Sequence, residues 1–282
     1  MGIKVNKSNE DMVMRREIIV TDWDGVLQMI DKAWCYMIKT QREKLEPWLD
    51  FSKLESYDTN PKQFLVDLFN RDEYYLNKWL RKEELKDKEL PRGVFEFIMG
   101  LYSYHDGFYE GCDWLSMMDA IAGMAQQSFV QEIIILTHVP YSNGRDLRKE
   151  KLFEEKIKPI APNKFKLVQL HTSESKAEWI KNNCPDFTVF IDDRADIIQE
   201  VVKLNSVYEK IFIMPIYGYN TYLIEDEEFI QELDKRGGTL NVYPCQVIPG
   251  RVAYLSEKNQ EIEKDQLLKN LSNYMNNKSH NK

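Results

Sequence analysis

Ile18-Ile19-Val20-Thr21 is an unbroken β-branched run with Glu17 before it and Asp22 after it. β-Branched side chains favour extended backbone, and a run without polar alternation suits a central parallel strand buried on both faces. Four later stretches repeat the design, at 131–138, 163–171, 186–193 and 209–215. Between them, 145–157, 175–183 and 196–204 have the length of helices that cross back over a sheet. The alternation predicts an α/β fold. In such a sheet, functional groups collect beyond the carboxyl ends of the strands.

The first two strands are separated by more than a hundred residues, too many for an ordinary connection. Residues 29–49 and 60–90 have amphipathic spacing, with Asn60-Pro61 as a helix start, and Pro91 interrupts the pattern. Residues 104–114 read as loop and 114–129 as helix again. The spacing therefore predicts a mainly helical insertion over 28–111, a cap, on a discontinuous core made of 1–27 and 112–282. Gln28 and the Gly107 to Gly111 stretch are its expected hinges. Its many aromatic residues are read as the insertion's own packing. Residues 234–255 suggest a turn and short strands, and the polar end at 270–282 suits a frayed terminus.

With 282 residues, 43% apolar and 30% charged, the chain has the composition of a globular protein rather than a disordered one. A formal charge of -8 argues against a nucleic-acid-coating surface, which needs concentrated Lys and Arg. Cys35, Cys112, Cys184 and Cys245 are scattered without metal-ligand spacing or the density of a disulfide scaffold, and are read as isolated thiols. The beginning of the chain lacks a secretory apolar stretch and nothing in it is long enough to span a bilayer, so the expected location is cytoplasmic.

Chemistry concentrates at the strand ends. Residues two apart on an extended segment share a side, so Asp22 and Asp24 can converge above the first strand while Trp23 turns away. A hard divalent cation relieves their repulsion; Mg²⁺ suits all-oxygen ligands better than Zn²⁺, since no Cys or His accompanies the pair. Gly25 supplies a tight turn. Thr137 ends the second strand with a hydroxyl that could hold a phosphoryl oxygen, and Lys176 stands at a helix start where it could neutralise phosphate and carboxylates. Asp192, Asp193 and Asp196 follow the fourth strand. Adjacent carboxylates face different ways, so Asp193 is favoured as the metal ligand and Asp192 as the group that orients Lys176 or a metal-bound water. His138 and His171 lie beside this site, and Arg145 or Arg148 could reach a phosphate.

In "DWDGV", Thr137 of "ILTH", Lys176 and "DDRAD", the chain resembles the haloacid dehalogenase-like superfamily of aspartate-nucleophile hydrolases. The four motifs occur in the superfamily's order, and the small residue usual before the last metal aspartate is replaced here by Asp192. The resemblance implies a Rossmann-like core with a cap of the superfamily's first type. It also implies Asp22 as nucleophile, Asp24 as acid and base, and Mg²⁺ held by Asp22, the Asp24 carbonyl and Asp193, with Thr137 and Lys176 steadying the transferred oxygens. "DWDGVLQMIDKAW", "LTHVPYSNGRDLRKEKLF" and "SKAEWI" are similar to the capped 5'-nucleotidase and deoxyribonucleotidase branch. That similarity implies a small phosphate ester as partner, contacted by Thr137, His138, Arg145 and Lys176, with Trp23, Phe108, Tyr109 and Trp114 as stacking candidates.

Two other functions compete. "FIDDR" also resembles the polynucleotide 3'-phosphatases, which act on nucleic-acid ends; the acidic balance weighs against them. A metal-dependent nucleotide-sugar transferase would use "DWD" alone and leave the Thr, Lys and Asp-Asp series unexplained.

Overall fold

The computed structural model describes residues 16–103, 108–109, 112–141, 143–244 and 247–248. The chain opens with β1 (Glu17–Thr21) and β2 (Gln28–Met29), then runs through α1 (Ile30–Thr40), α2 (Arg42–Leu45), α3 (Ser56–Thr59), α4 (Pro61–Phe69), α5 (Leu76–Trp79) and α6 (Arg92–Ser103). β3 (Asp113–Leu115), α7 (Ser116–Ala125) and β4 (Val130–Val139) lead back into the sheet. There follow α8 (Leu147–Leu152), β5 (Phe165–His171), α9 (Lys176–Asn183), β6 (Val189–Ile191), α10 (Ala195–Leu204) and β7 (Ile211–Ile216). The last elements are α11 (Tyr222–Glu225), α12 (Glu227–Lys235), β8 (Thr239–Pro244) and β9 (Val247–Ile248).

Six strands form one parallel sheet in the order β5-β4-β1-β6-β7-β8. Each face buries alternate residues of the same strands. Ile19, Ile133, Ile135, Val189, Ile191, Ile211 and Ile213 belong to one apolar cluster, and Val20, Ile134, Leu136, Phe190, Phe212 and Met214 to the other. Helices cover both sides, which is why the strands read as continuous apolar runs. After β5 the chain returns to the opposite flank of β1, so β1 sits at the point where strand order reverses. Open parallel sheets have their crevice there.

The helical insertion is present, with an apolar cluster around Leu45, Phe64, Leu68, Leu80 and Ile98 that also takes in Leu115 and Tyr217. Its interior differs from the expected long helices. The 60–90 pattern divides into α4 and α5 because Arg71, its side chain buried, turns its guanidinium onto the carbonyls of Leu68 and Glu73 (2.8 and 3.0 Å) and Asp31 (2.6 Å). Carbonyls engaged this way satisfy the chain without a helix. α6 emerges directly after Pro91, where the sequence suggested only an interruption; proline is well accommodated just ahead of a helix. A second sheet, β2-β3-β9, is also new: β2 pairs antiparallel with β3 and β3 with β9, tying the outgoing chain to the returning one.

Cys35, Cys112 and Cys184 are buried free thiols. Cys245, His105, Gly107, Gly111 and the terminal segments lie outside the described residues. Among those described, no helix is long and apolar enough to cross a membrane.

Candidate active site

At the end of β1 the Asp22 amide continues the sheet by donating to the Ile191 carbonyl (2.8 Å), and Asp22 Oδ1 accepts from the Trp23 amide (2.7 Å). Trp23 turns inward and is fully buried, its indole donating to Gln28 Oε1 (2.8 Å). The turn needs Gly25: its φ is +75°, and a Cβ there would lie 2.6 Å from Asp193 Oδ2. Gly25→Ala is accordingly expected to cost about 1–3 kcal/mol, from left-handed backbone strain and displacement of a carboxylate. Urea unfolding checks this, and an unchanged midpoint would mean that the turn relaxes freely.

Asp22, Asp192 and Asp193 each present an oxygen within 4.8 Å of the others, all three residues buried. Lys176, the first residue of α9 and buried, places Nζ 2.9 Å from Asp22 Oδ2 and 2.8 Å from Asp192 Oδ2. Ser175 caps that helix by accepting from the Glu178 amide, which fixes where Lys176 starts. The second Asp192 oxygen accepts from the Arg194 amide (2.9 Å), so both of its oxygens are engaged by the protein. Asp193 Oδ2 accepts from the Tyr219 hydroxyl (2.5 Å) and Asn220 holds the Asp193 carbonyl (2.7 Å). Asp193 Oδ1 has no donor among the described residues.

Electrostatics separates the three. Burial disfavours charge on all of them, but at Asp22 the Lys176 and Lys149 ammoniums outweigh it and the carboxyl lies below its ordinary value. Burial lifts Asp192 to about 6 against the pull of Lys176. Asp193 is held well above the ordinary range by burial and by its neighbours Asp192 and Asp22. Three carboxylates around one ammonium is a set of donors that fits a hard divalent cation: all ligands are oxygen and the negative charge exceeds the positive.

Asp22 and Asp24 were expected to converge on one cation; their carboxylates make their closest ion pairs with different lysines. The Asp24 carboxylate lies outside the three-residue cluster and meets Lys149, with Nζ 2.8 Å from Oδ2. The same ammonium donates to Thr137 Oγ1 (2.8 Å), buried in β4. Asp24 Oδ1 is buried without a hydrogen bond, and burial raises this carboxyl despite Lys149. Lys149 is fully buried and escaped the sequence reading. Its signal is there in α8: it stands three and four positions before the buried Leu152 and Phe153, a lysine on the apolar stripe of a helix.

Of the remaining candidates, His138 is half-buried and faces the cleft, its Nε2 2.9 Å from the Glu174 carbonyl; burial, followed by Lys176, lowers its imidazole below the ordinary value. Arg145 is exposed and paired with Glu150 (2.6 Å), away from the cleft lining. Arg148 binds Asp146 (2.8 Å) and the Tyr102 carbonyl (2.9 Å), with its guanidinium 5.1 Å from the Tyr109 ring centre. Trp23, Phe108 and Tyr109 are core residues and Trp114 packs on Trp23. A cleft of about 1140 Å³ runs between sheet and insertion, bounded by Asp24, His138 and Asp193 on one side and Trp34, Phe95 and Tyr102 on the other.

No family model matches the chain, nor does any curated protein. Among solved structures it is similar to a haloacid dehalogenase-like family hydrolase from Xanthomonas campestris, at 11% identity and TM-score 0.40 over 78% of this chain and 94% of that one. A structure described as a haloacid dehalogenase-like hydrolase, from Burkholderia xenovorans LB400, gives 11% and 0.42 over 81% and 95%. A structure described as the HAD-hydrolase YfnB of Bacillus subtilis, bound to magnesium, gives 14% and 0.35 over 93% and 99%. Likenesses this remote bear on neither the chemistry nor the substrate, which rest on the side chains.

Proposed function

We propose that this chain is a Mg²⁺-dependent phosphomonoester hydrolase of the haloacid dehalogenase-like type, acting through an aspartyl-phosphate on Asp22. The observation that carries the reading is the division of labour at the strand ends. Asp22 is held ionised among Lys176 and two further carboxylates. Asp24, two residues on, keeps one oxygen free of protein donors and a raised affinity for its proton. Two carboxyl groups pushed apart in this way suit a nucleophile and an acid.

In the proposed reaction an Asp22 carboxylate oxygen attacks phosphorus, the ester P–O bond breaks, and the leaving oxygen takes the proton of Asp24. Asp24, now ionised, removes a proton from water; the water oxygen attacks phosphorus, the aspartyl P–O bond breaks, and phosphate departs with Asp22 restored. Lys176 balances charge on the transferred oxygens, and Lys149 fixes Thr137 and Asp24 relative to one another. Asp22 and Asp193, with the Asp24 carbonyl, are the proposed holders of Mg²⁺, which would supply charge neutralisation at phosphorus. Asp193 is favoured over Asp192 because Asp192 already spends both oxygens on Lys176 and the Arg194 amide.

A proton on Asp193 competes with the cation. Since its carboxyl is raised by burial, Asp192 and Asp22, apparent Mg²⁺ affinity should climb with pH above the ordinary carboxylate range, with net proton release. Calorimetry in buffers of different ionisation enthalpy measures both, and a pH-independent affinity would remove Asp193 from the ligand set.

The insertion over 28–111 is read as a cap that closes on a small phosphorylated metabolite, a 5'-nucleotide being the favoured class, with its aromatic cleft wall beside the base. The transferase alternative accounts for Asp22 and Asp24 alone and leaves Thr137, Lys176 and the Asp192-Asp193 pair without a role. Phosphate release with Mg²⁺ across nucleotides, sugar phosphates and 3'-phosphorylated oligonucleotides tests the substrate class. Activity confined to the oligonucleotides would reassign it to nucleic-acid ends.

A further inference from the structure

Four arginines line the cleft, and three are neutralised by carboxylates: Arg71 by Asp31 (2.6 Å), Arg92 by Glu96 (2.7 Å) and Arg194 by Asp196. Arg81 differs. It is 7% exposed, and its Nη1 donates only to the carbonyls of Lys86 and Lys88. Its Nε is buried without a partner, and its Nη2 meets no acceptor among the described residues. A guanidinium carries five donors and a permanent charge, and one buried without an anion is costly. One helical turn earlier stands Asn77, 6% exposed, whose side-chain amide makes no hydrogen bond among the described residues and which lines the same cleft.

Neither residue touches the carboxylates at the strand ends, and the proposed reaction uses neither. Both belong to the insertion wall, flanked by the exposed Lys78 and Lys88; the acidic Asp87 and Glu89 on that wall are exposed too. The same cleft is also lined by the apolar side chains of Ile30, Trp34, Phe95 and Met99. The cleft thus combines the strand-end carboxylates, apolar side chains and a buried guanidinium that has no carboxylate partner among the described residues.

Building on the phosphomonoesterase reading, we infer that Arg81 and Asn77 receive a second anionic group of the substrate. The preferred ligand is then a phosphomonoester with an apolar body and a phosphate or carboxylate at its far end, a feature that a plain 5'-nucleotide lacks; this keeps the phosphomonoesterase reading and replaces its favoured substrate class. A planar guanidinium pairs with either anion through two parallel hydrogen bonds, and an adjacent amide adds a donor. The body lies against the apolar lining while the scissile phosphate lies at Asp22.

The test measures binding to the full chain, with Mg²⁺, of alkylphosphonates, alkane-α,ω-bisphosphonates and ω-carboxyalkylphosphonates over a series of chain lengths. Hydrolysis of the matching phosphate esters is followed in parallel. At a preferred length, one of the two-anion classes should bind at least about tenfold more tightly than the plain alkylphosphonate, and the better class identifies the second anion. Arg81→Gln should erase that preference and Arg81→Lys keep part of it. Equal binding of one-anion and two-anion compounds at every length overturns the inference, and needs no variant to fold; so does a preference that survives in R81Q. Hydrolysis without a second-anion preference removes this pocket but keeps the phosphatase reading, whereas Arg81-dependent binding with no ester hydrolysed does the reverse.

Discussion

Asp22→Asn should lower phosphate release by at least about 10³-fold while leaving the fold intact, because an amide oxygen is a far poorer nucleophile than a carboxylate. The substitution keeps the shape of the side chain, its Oδ1 contact to the Trp23 amide and a polar atom facing Lys176. It also replaces the Asp22 carboxylate oxygen facing Lys176 by an amide N–H, a modest cost in stability, while Asp192 still pairs with that ammonium. Wild type and D22N are compared with Mg²⁺ on the best ester of the screen, with circular dichroism as the control for folding. Equal rates would show that phosphorus is attacked by another group. Loss of rate without accumulation of a phosphorylated wild-type protein in rapid-quench experiments would leave Asp22 as a metal ligand and take the covalent step away from it.

The second large effect is on stability. Lys176→Met should destabilise the protein by about 3–5 kcal/mol, the cost of leaving buried charge without its partner. Lys176 is the ammonium shared by Asp22 and Asp192, and its side chain is 2% exposed. Without it, three buried carboxylates face one another, and part of the loss is met by protonating them. Two results separate this from simple loss of packing. Mg²⁺ should return a larger share of stability to K176M than to wild type, and adding Asp192→Asn should recover part of the deficit. Urea midpoints measure both, and a K176M protein as stable as wild type would mean that Lys176 does not neutralise the carboxylates.

How much of this was legible in the sequence depended on how local the cause was. The parallel sheet could be read because strands buried on both faces leave continuous runs such as Ile18 to Thr21 and Val189 to Ile191. Asp22, Thr137, Lys176, Asp192 and Asp193 could be singled out because each ends or follows such a run; the fold brings Asp22, Lys176, Asp192 and Asp193 together and sets Thr137 against Lys149. β2 and β3 left no signal, since strands of two and three residues are too short for periodicity to register. The break between α4 and α5 depends on Arg71 meeting Asp31 forty positions away, and nothing in the intervening pattern announces that pairing. Lys149 and Arg81 were missed for a related reason. A basic residue in a charged stretch reads as solvated, and only tertiary packing reveals that these two are buried.

Gln28 pairs with Trp114 and Met29 with Asp113, so the insertion leaves and rejoins the core at adjacent points, about 5 Å apart as in any antiparallel pair. To the parallel sheet, the whole helical detour is therefore equivalent to the loop of a hairpin. Its length can change without separating its two ends, whereas its content is tied to β1 and β4 where Tyr102 and Tyr109 share an apolar cluster with Ile19 and Ile133. On the proposed function, selectivity and bond-breaking would fall on different stretches of one chain, joined at this ribbon and through the packing of Leu115 and Tyr217 against the insertion.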